Sequence, residues 1–145
     1  MARILHVEDS RDRAEMVREL LEEEGHDVTN AYTIAGARAA LANEKFDLII
    51  LDHELDSEIT GAVFAKELAN KGSTTPVIMF TSYEWEIVKK AGNLDQSVPE
   101  TGKPVWAHIH TEPTSASALN IFTQLADTVA RFTSRGQSEG EVLGR

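Results

Sequence analysis

Three carboxylates carry the chemistry legible in this chain. Glu8 and Asp9 end the apolar run Arg3-Ile4-Leu5-His6-Val7, and Asp52 ends Phe46-Asp47-Leu48-Ile49-Ile50-Leu51. Each run is short and stops abruptly at an acid. In a parallel sheet both would deliver their carboxylates to the C-terminal edge, where open α/β folds bind ligands. Carboxyl groups with an ordinary pKa near 4 are ionised at neutral pH. Two such charges about 4 Å apart repel by roughly 4 kcal/mol at an effective dielectric near 20. A pocket formed by Glu8, Asp9 and Asp52 therefore calls for a cation, and an all-oxygen site suits a hard ion such as Mg²⁺. One strand ending in Asp is explained by the turn that follows it; two strands of the right kind are better explained by a shared site.

The elements that would position these acids alternate along the chain. After Asp9, Ala14, Val17, Leu20 and Leu21 recur at helical spacing, and Gly25 follows the acidic Glu22-Glu23-Glu24 as a stop. Residues 26–32 read as a short strand, and Thr33 then caps a second helix bearing Ile34, Ala37, Ala40 and Leu41. Residues 46–51 are too apolar for a half-exposed strand and suit a central parallel one. A polar loop over 52–60 leads to a third helix with Val63, Phe64, Ala65 and Leu68 inward and Gly72 as terminator. Pro76 opens the strand Val77-Ile78-Met79-Phe80-Thr81-Ser82, and a short helix follows over 85–91. Residues 93–104 have no period and read as an extended loop, and 105–110 as a fifth strand. Ala118, Leu119, Phe122, Leu125, Ala126 and Val129 mark a long amphipathic final helix.

From Ser134 the apolar content falls away, so 134–145 read as a flexible tail. Residues 1–133 are thus expected to form one α/β domain, a doubly wound five-stranded parallel sheet of the flavodoxin-like (βα)5 kind with strand order 2-1-3-4-5. That order makes strands one and three neighbours and brings Glu8, Asp9 and Asp52 together.

Composition narrows the function. The 41% hydrophobic content is ordinary for a folded chain, and 145 residues suit one domain without a second output domain. The chain has no cysteine, which excludes disulfides, thiolate nucleophiles and cysteine metal sites and fits a cytoplasmic setting. The first strand begins too early for a signal peptide, and no apolar run approaches the roughly 20 residues that span a bilayer. A net charge of −10 argues against nucleic acid and favours metal ions or partners with a basic face.

Taken in order, Ile4-Leu5-His6-Val7-Glu8-Asp9, Asp47-Leu48-Ile49-Ile50-Leu51-Asp52 and Pro76-Val77-Ile78-Met79-Phe80-Thr81-Ser82 resemble three strands of the response-regulator receiver domains of two-component signalling. These are the acidic first strand, the strand bearing the phosphoacceptor, and the fourth strand with its hydroxyl. The resemblance covers residues 1–133. It implies that Asp52 accepts a phosphoryl group from a histidine kinase, a phosphotransfer protein or a small phosphodonor. It implies that Glu8, Asp9, Asp52 and the main-chain carbonyl of Glu54 hold Mg²⁺. Thr81, in preference to Ser82, would hydrogen-bond the phosphoryl oxygens, although a β-branched strand residue also suits packing. The chain would then be a stand-alone phosphoprotein of a phosphorelay rather than an enzyme. It would bind a downstream protein target through its fourth-helix to fifth-strand face, near Trp85 and Trp106.

Three departures from the family pattern stand out. After Asp52 the loop runs His53-Glu54-Leu55-Asp56-Ser57-Glu58-Ile59-Thr60-Gly61. The family has Met-Pro where Leu55-Asp56 stands and its Gly one residue earlier; Asp56 and Glu58 also add negative charge near the mouth. Second, the family's phosphoryl-binding lysine belongs to a Lys-Pro at the end of strand five. Lys103-Pro104 precedes the apolar run 105–110, which at about 3.3 Å per residue would put Lys103 some 20 Å from the pocket. Glu112-Pro113 follows that run, so Glu112 is expected in the lysine slot and 93–104 as an insertion. Third, Asp52-His53-Glu54-Leu55 with Thr60-Gly61 resembles the Asp-His-Asp-Leu and Thr-Gly pattern of a divergent receiver-like group associated with cyclic-phosphate processing. Phe80-Thr81-Ser82 lacks that group's His-Ser pair. Two rival readings follow: a phosphorylation-independent pseudo-receiver acting as an interaction module, and a metal-dependent enzyme on cyclic phosphates.

His108 and His110 alternate on one strand face and, with His53 and Glu112, offer a Zn²⁺ site, though surface or packing histidines are the commoner arrangement. His6, mid-strand, reads as a buried hydrogen-bonded histidine. The chain has no P-loop, no nucleophile-elbow serine and no basic-aromatic stripe, so kinase, hydrolase and nucleic-acid readings lack support.

Overall fold

Strands and helices alternate strictly along the chain: β1 Arg3–Val7, α1 Arg11–Glu23, β2 Asp27–Ala31, α2 Ile34–Asn43, β3 Leu48–Leu51, α3 Gly61–Asn70, β4 Val77–Thr81, α4 Trp85–Ala91, β5 Ala107–His110 and α5 Ala118–Leu143. The computed structural model describes residues 2–55, 59–111 and 118–143, with backbone alone at 118–119 and 134–143. The five strands form one sheet in the order β2-β1-β3-β4-β5, and every pairing is parallel. This is the doubly wound flavodoxin-like sheet that the alternation predicts.

Helices cover both faces. Leu5, Val7, Ile49, Leu51, Val77 and Met79 pack with α2, α3 and α4, while Ile4, Leu48, Ile50, Ile78, Phe80 and Ile109 pack with α1 and α5. β3 is buried along its whole length, as a central parallel strand must be. Hydroxyl caps start three of the helices: Ser10 accepts the Arg13 amide at 3.3 Å, Thr33 that of Gly36 at 2.9 Å, and Thr60 that of Val63 at 3.2 Å. The register pairs Val7 with Leu51, so β1 and β3 end level and the acids that follow leave the sheet together.

Several boundaries differ from the sequence expectation. β2 is one residue shorter at each end than 26–32. At its start, the His26 ring accepts the Ala2 amide through Nδ1 at 3.2 Å. β5 omits Val105 and Trp106. The side chain of Gln96, buried in the loop before it, satisfies both the Val105 amide and carbonyl at 3.0 Å, which takes Val105 out of the ladder. That loop is anchored rather than featureless: Leu94 and Gln96 are buried, and the Trp85 indole donates to the Ser97 carbonyl at 2.8 Å. α5 continues to Leu143, through the stretch read as a tail; no proline after Pro113 interrupts it. Phe132, edge-on to Trp106 at 5.4 Å, is the last apolar side chain described against the core.

Gly61 explains its own position in the loop after β3. A Cβ there would lie 1.8 Å from the Asp52 carbonyl oxygen, and its amide donates to the His53 carbonyl at 2.8 Å. Only a residue without a side chain lets α3 start this close to β3. Gly61→Ala is expected to lower stability by about 1–3 kcal/mol through overpacking, read as a lower urea midpoint; an unchanged midpoint would refute the contact.

Candidate functional site

The edge formed by the ends of β1, β3 and β4 gathers the acids. Glu8, Asp9 and Asp52 each bring an oxygen within 4.8 Å of the others. Glu8 is 1% exposed and Asp52 6% exposed, while Asp9 faces solvent. The Ser10 amide donates to Glu8 Oε2 at 3.1 Å. From the first turn of α1, Arg13 Nη1 reaches Glu8 Oε1 at 3.4 Å and Asp52 Oδ2 at 3.8 Å. Thr81 is fully buried at the end of β4 and accepts the Tyr83 amide at 3.4 Å.

Burial dominates the electrostatics. It pushes the Glu8 carboxyl up to about 7; the Ser10 amide pulls it down, the Asp52 charge raises it, Arg13 lowers it, and a hydrogen bond with Asp9 raises it further. Burial also raises Asp52, against hydrogen bonds from the Thr81 hydroxyl and the His53 amide, the Arg13 charge, and the Glu54 amide. An all-oxygen donor set with two poorly solvated acids fits a hard divalent cation. A bound cation would return both acids to their charged forms.

The remaining predicted residues fall in distinct places. The Glu54 side chain accepts the Tyr83 hydroxyl at 2.8 Å at the pocket rim. Lys103 lines a cleft with Thr75 and Val77, at the edge of the sheet opposite Thr81. Glu112, Asp56 and Glu58 lie outside the described residues. Thr111, just before Glu112, donates its amide to the Thr81 carbonyl at 2.8 Å. His6 is buried as expected, but its Nδ1 has no partner, and burial holds its pKa down to about 3. It is therefore a neutral ring in the core, with Nδ1 the ring nitrogen left without a partner among the described residues.

Three other histidines gather around the loop after β4. His108 donates through Nε2–H to the Tyr83 carbonyl and His110 to the Ser82 carbonyl, each at 2.8 Å. They tie the loop after β4 to β5. His53 is buried edge-on against Tyr83 at 4.9 Å. Among the described residues, Glu8, Asp9 and Asp52 form the one metal-capable cluster, and Glu112, the carboxylate of the expected zinc site, lies outside them. Sequence reasoning missed Arg13; its spacing of one helical turn beyond Asp9 was the available signal.

The sequence model of the response regulator receiver domain family matches residues 4–95. Among solved structures, the chain is similar to the response regulator TrrA from Thermotoga maritima in complex with Mg²⁺–BeF, at 23% identity, TM-score 0.69, and 91% and 99% coverage of this chain and that one. The receiver domain of the Francisella response regulator 1452 is similar at 20% identity and TM-score 0.71, with 94% and 99% covered. The Vibrio cholerae chemotaxis protein CheY4 shares 26% identity at TM-score 0.64, with 87% and 98% covered. No curated protein matches the sequence.

The raised Glu8 pKa has a thermodynamic signature. Folded Glu8 holds its proton more tightly than unfolded Glu8, so its stabilisation is complete below about 4.5 and is lost as pH rises through about 7. His6, depressed to about 3 when folded, acts in the opposite sense between about 3 and 6.5. Comparing wild type with Glu8→Gln in the presence of a chelator cancels the histidine. The variant should gain stability relative to wild type as pH rises from 4.5 and level off above about 7. A difference that does not change with pH would contradict the buried-acid assignment.

Proposed function

The chain belongs to the response regulator receiver domain family, and on that footing we propose that Asp52 is its phosphoacceptor. The observation that supports this most is the convergence of Glu8, Asp9 and Asp52 at the C-terminal sheet edge, with the Thr81 hydroxyl turned to the Asp52 carboxylate. An Asp52 oxygen attacks the phosphorus of a phosphohistidine or acyl phosphate. The new O–P bond forms as the donor's P–N or P–O bond breaks, and the imidazole, taking a proton, or the carboxylate leaves. Glu8, Asp9, Asp52 and the main-chain carbonyl of Glu54 would hold Mg²⁺, which when bound offsets charge on both nucleophile and phosphoryl oxygens.

The Thr81 hydroxyl then passes from Asp52 to a phosphoryl oxygen. Because Thr81 also holds the Tyr83 amide, and His108 and His110 hold the carbonyls of Tyr83 and Ser82, that movement is carried to α4 and β5. Trp85 and the exposed Ile87 lie on this face, which would bind the downstream protein. The upstream partner is a histidine kinase or phosphotransfer protein, and the setting is the cytoplasm. No helix among the described residues is long and apolar enough to cross a membrane.

The position of Lys103 favours a second reading, a phosphorylation-independent interaction module. The cyclic-phosphate enzyme draws less support, because the His53 ring is buried against Tyr83 rather than open to a substrate.

Incubation with acetyl phosphate and Mg²⁺ should add one phosphoryl mass, absent in Asp52→Asn and slowed in Thr81→Ala. No label and no response to beryllofluoride would leave the interaction module. If Glu112 fills the lysine slot, Glu112→Lys should lengthen the half-life of the phosphorylated form, and Lys103→Ala should leave it unchanged. The reverse pattern would restore Lys103 to the site.

A further inference from the structure

Asp52 and Glu8 have lost most of their water, and a phosphoryl group would add further anionic oxygens beside them. The lysine that receivers use against that charge has no counterpart here among the described residues, since Lys103 stands at the opposite edge of the sheet. Arg11 is stacked over the Tyr32 ring at 4.1 Å. The positive charge that does face both acids is Arg13.

We propose that Arg13 is the resident cation of the pocket: it neutralises Glu8 and Asp52 while no metal is bound, and pairs with the phosphoryl oxygens once Asp52 carries them. This deepens the phosphoacceptor reading and rests on it. The geometry suits both tasks. A single nitrogen, Nη1, spans the gap between Glu8 Oε1 and Asp52 Oδ2, at 3.4 Å and 3.8 Å. These separations exceed a tight charge-assisted hydrogen bond, so the guanidinium is not locked onto either acid. Among the described residues its other N–H groups remain for an incoming anion, and their planar fork matches phosphate.

Burial separates this contact from an ordinary surface pair. An exposed ion pair contributes little. Here the arginine is 44% exposed, but its partners are 1% and 8% exposed at the side chain, so its charge faces acids that solvent cannot stabilise. Ser10 fixes the arrangement from both sides: its hydroxyl accepts the Arg13 amide, and its own amide donates to Glu8. One consequence is competition. Whatever holds Glu8 and Asp52 in the metal-free protein must yield to a divalent ion, so Arg13 weakens metal binding while it favours the phosphorylated form.

The opposed signs make the proposal testable in the full chain. Titration with Mg²⁺ alone, followed by calorimetry, should show tighter binding in Arg13→Met than in wild type by about threefold or more, because a competing charge is gone. Titration with beryllofluoride at saturating Mg²⁺ should show Arg13→Met weakened by about tenfold, one lost charge-assisted contact, with Arg13→Lys recovering part of the loss. Weaker or unchanged Mg²⁺ binding in Arg13→Met overturns the proposal, as does an undiminished beryllofluoride response. No recovery in Arg13→Lys assigns the loss to packing and overturns it as well. A wild-type protein that binds Mg²⁺ but neither labels nor responds to beryllofluoride overturns the phosphoacceptor reading, and the proposal falls with it. A responsive wild type beside an equally responsive Arg13→Met overturns the proposal alone.

Discussion

Burying negative charge at the end of a closed sheet is the constraint on which this molecule turns. β1 and β3 are enclosed on both faces by apolar side chains, so the residues directly after them, Glu8 and Asp52, leave the sheet already stripped of water. Burial raises the pKa of both Glu8 and Asp52, and a cation facing them favours their charged forms. Arg13 supplies some of that charge in the metal-free protein. The same constraint accounts for the glycine of the loop after β3. α3 begins against the Asp52 carbonyl, and Gly61 is what permits it.

Much of this was legible in the sequence because its signals are local. Apolar continuity followed by an abrupt acid marks β1 and β3 without reference to anything distant, and the strand order follows from short right-handed connections. The less legible parts depend on contacts between segments. Val105 and Trp106 are apolar enough to extend β5, yet Gln96 takes the backbone groups of Val105 away from the ladder. A lone glutamine in an aperiodic loop gives no warning of that. Arg13 reads as one more charge on a solvated helix face until the helix is docked and its side chain points back over the acids. For His6 the sequence supported burial, but not a ring nitrogen left without a partner.

The loop after β4 links the pocket to the outer face through polar contacts. Thr81 accepts from Tyr83, Tyr83 donates from its hydroxyl to Glu54, and two histidines of β5 hold the neighbouring carbonyls. Tyr83 thus touches the pocket rim at one end and the β5 strap at the other. A change at the Thr81 hydroxyl has a short path to α4, where Trp85 packs beside His108 at 5.8 Å. Two arrangements of this loop, biased by what Asp52 carries, would suffice for a switch.

Whether the acidic edge is a phosphoryl site built on Asp52 is decided by a crystal structure grown with Mg²⁺ and beryllofluoride. Beryllium is expected on an Asp52 oxygen, the metal among Glu8, Asp9 and Asp52, and the Thr81 hydroxyl on a fluoride. A pocket free of both groups at saturating concentrations, with Arg13 still spanning Glu8 and Asp52, would contradict it.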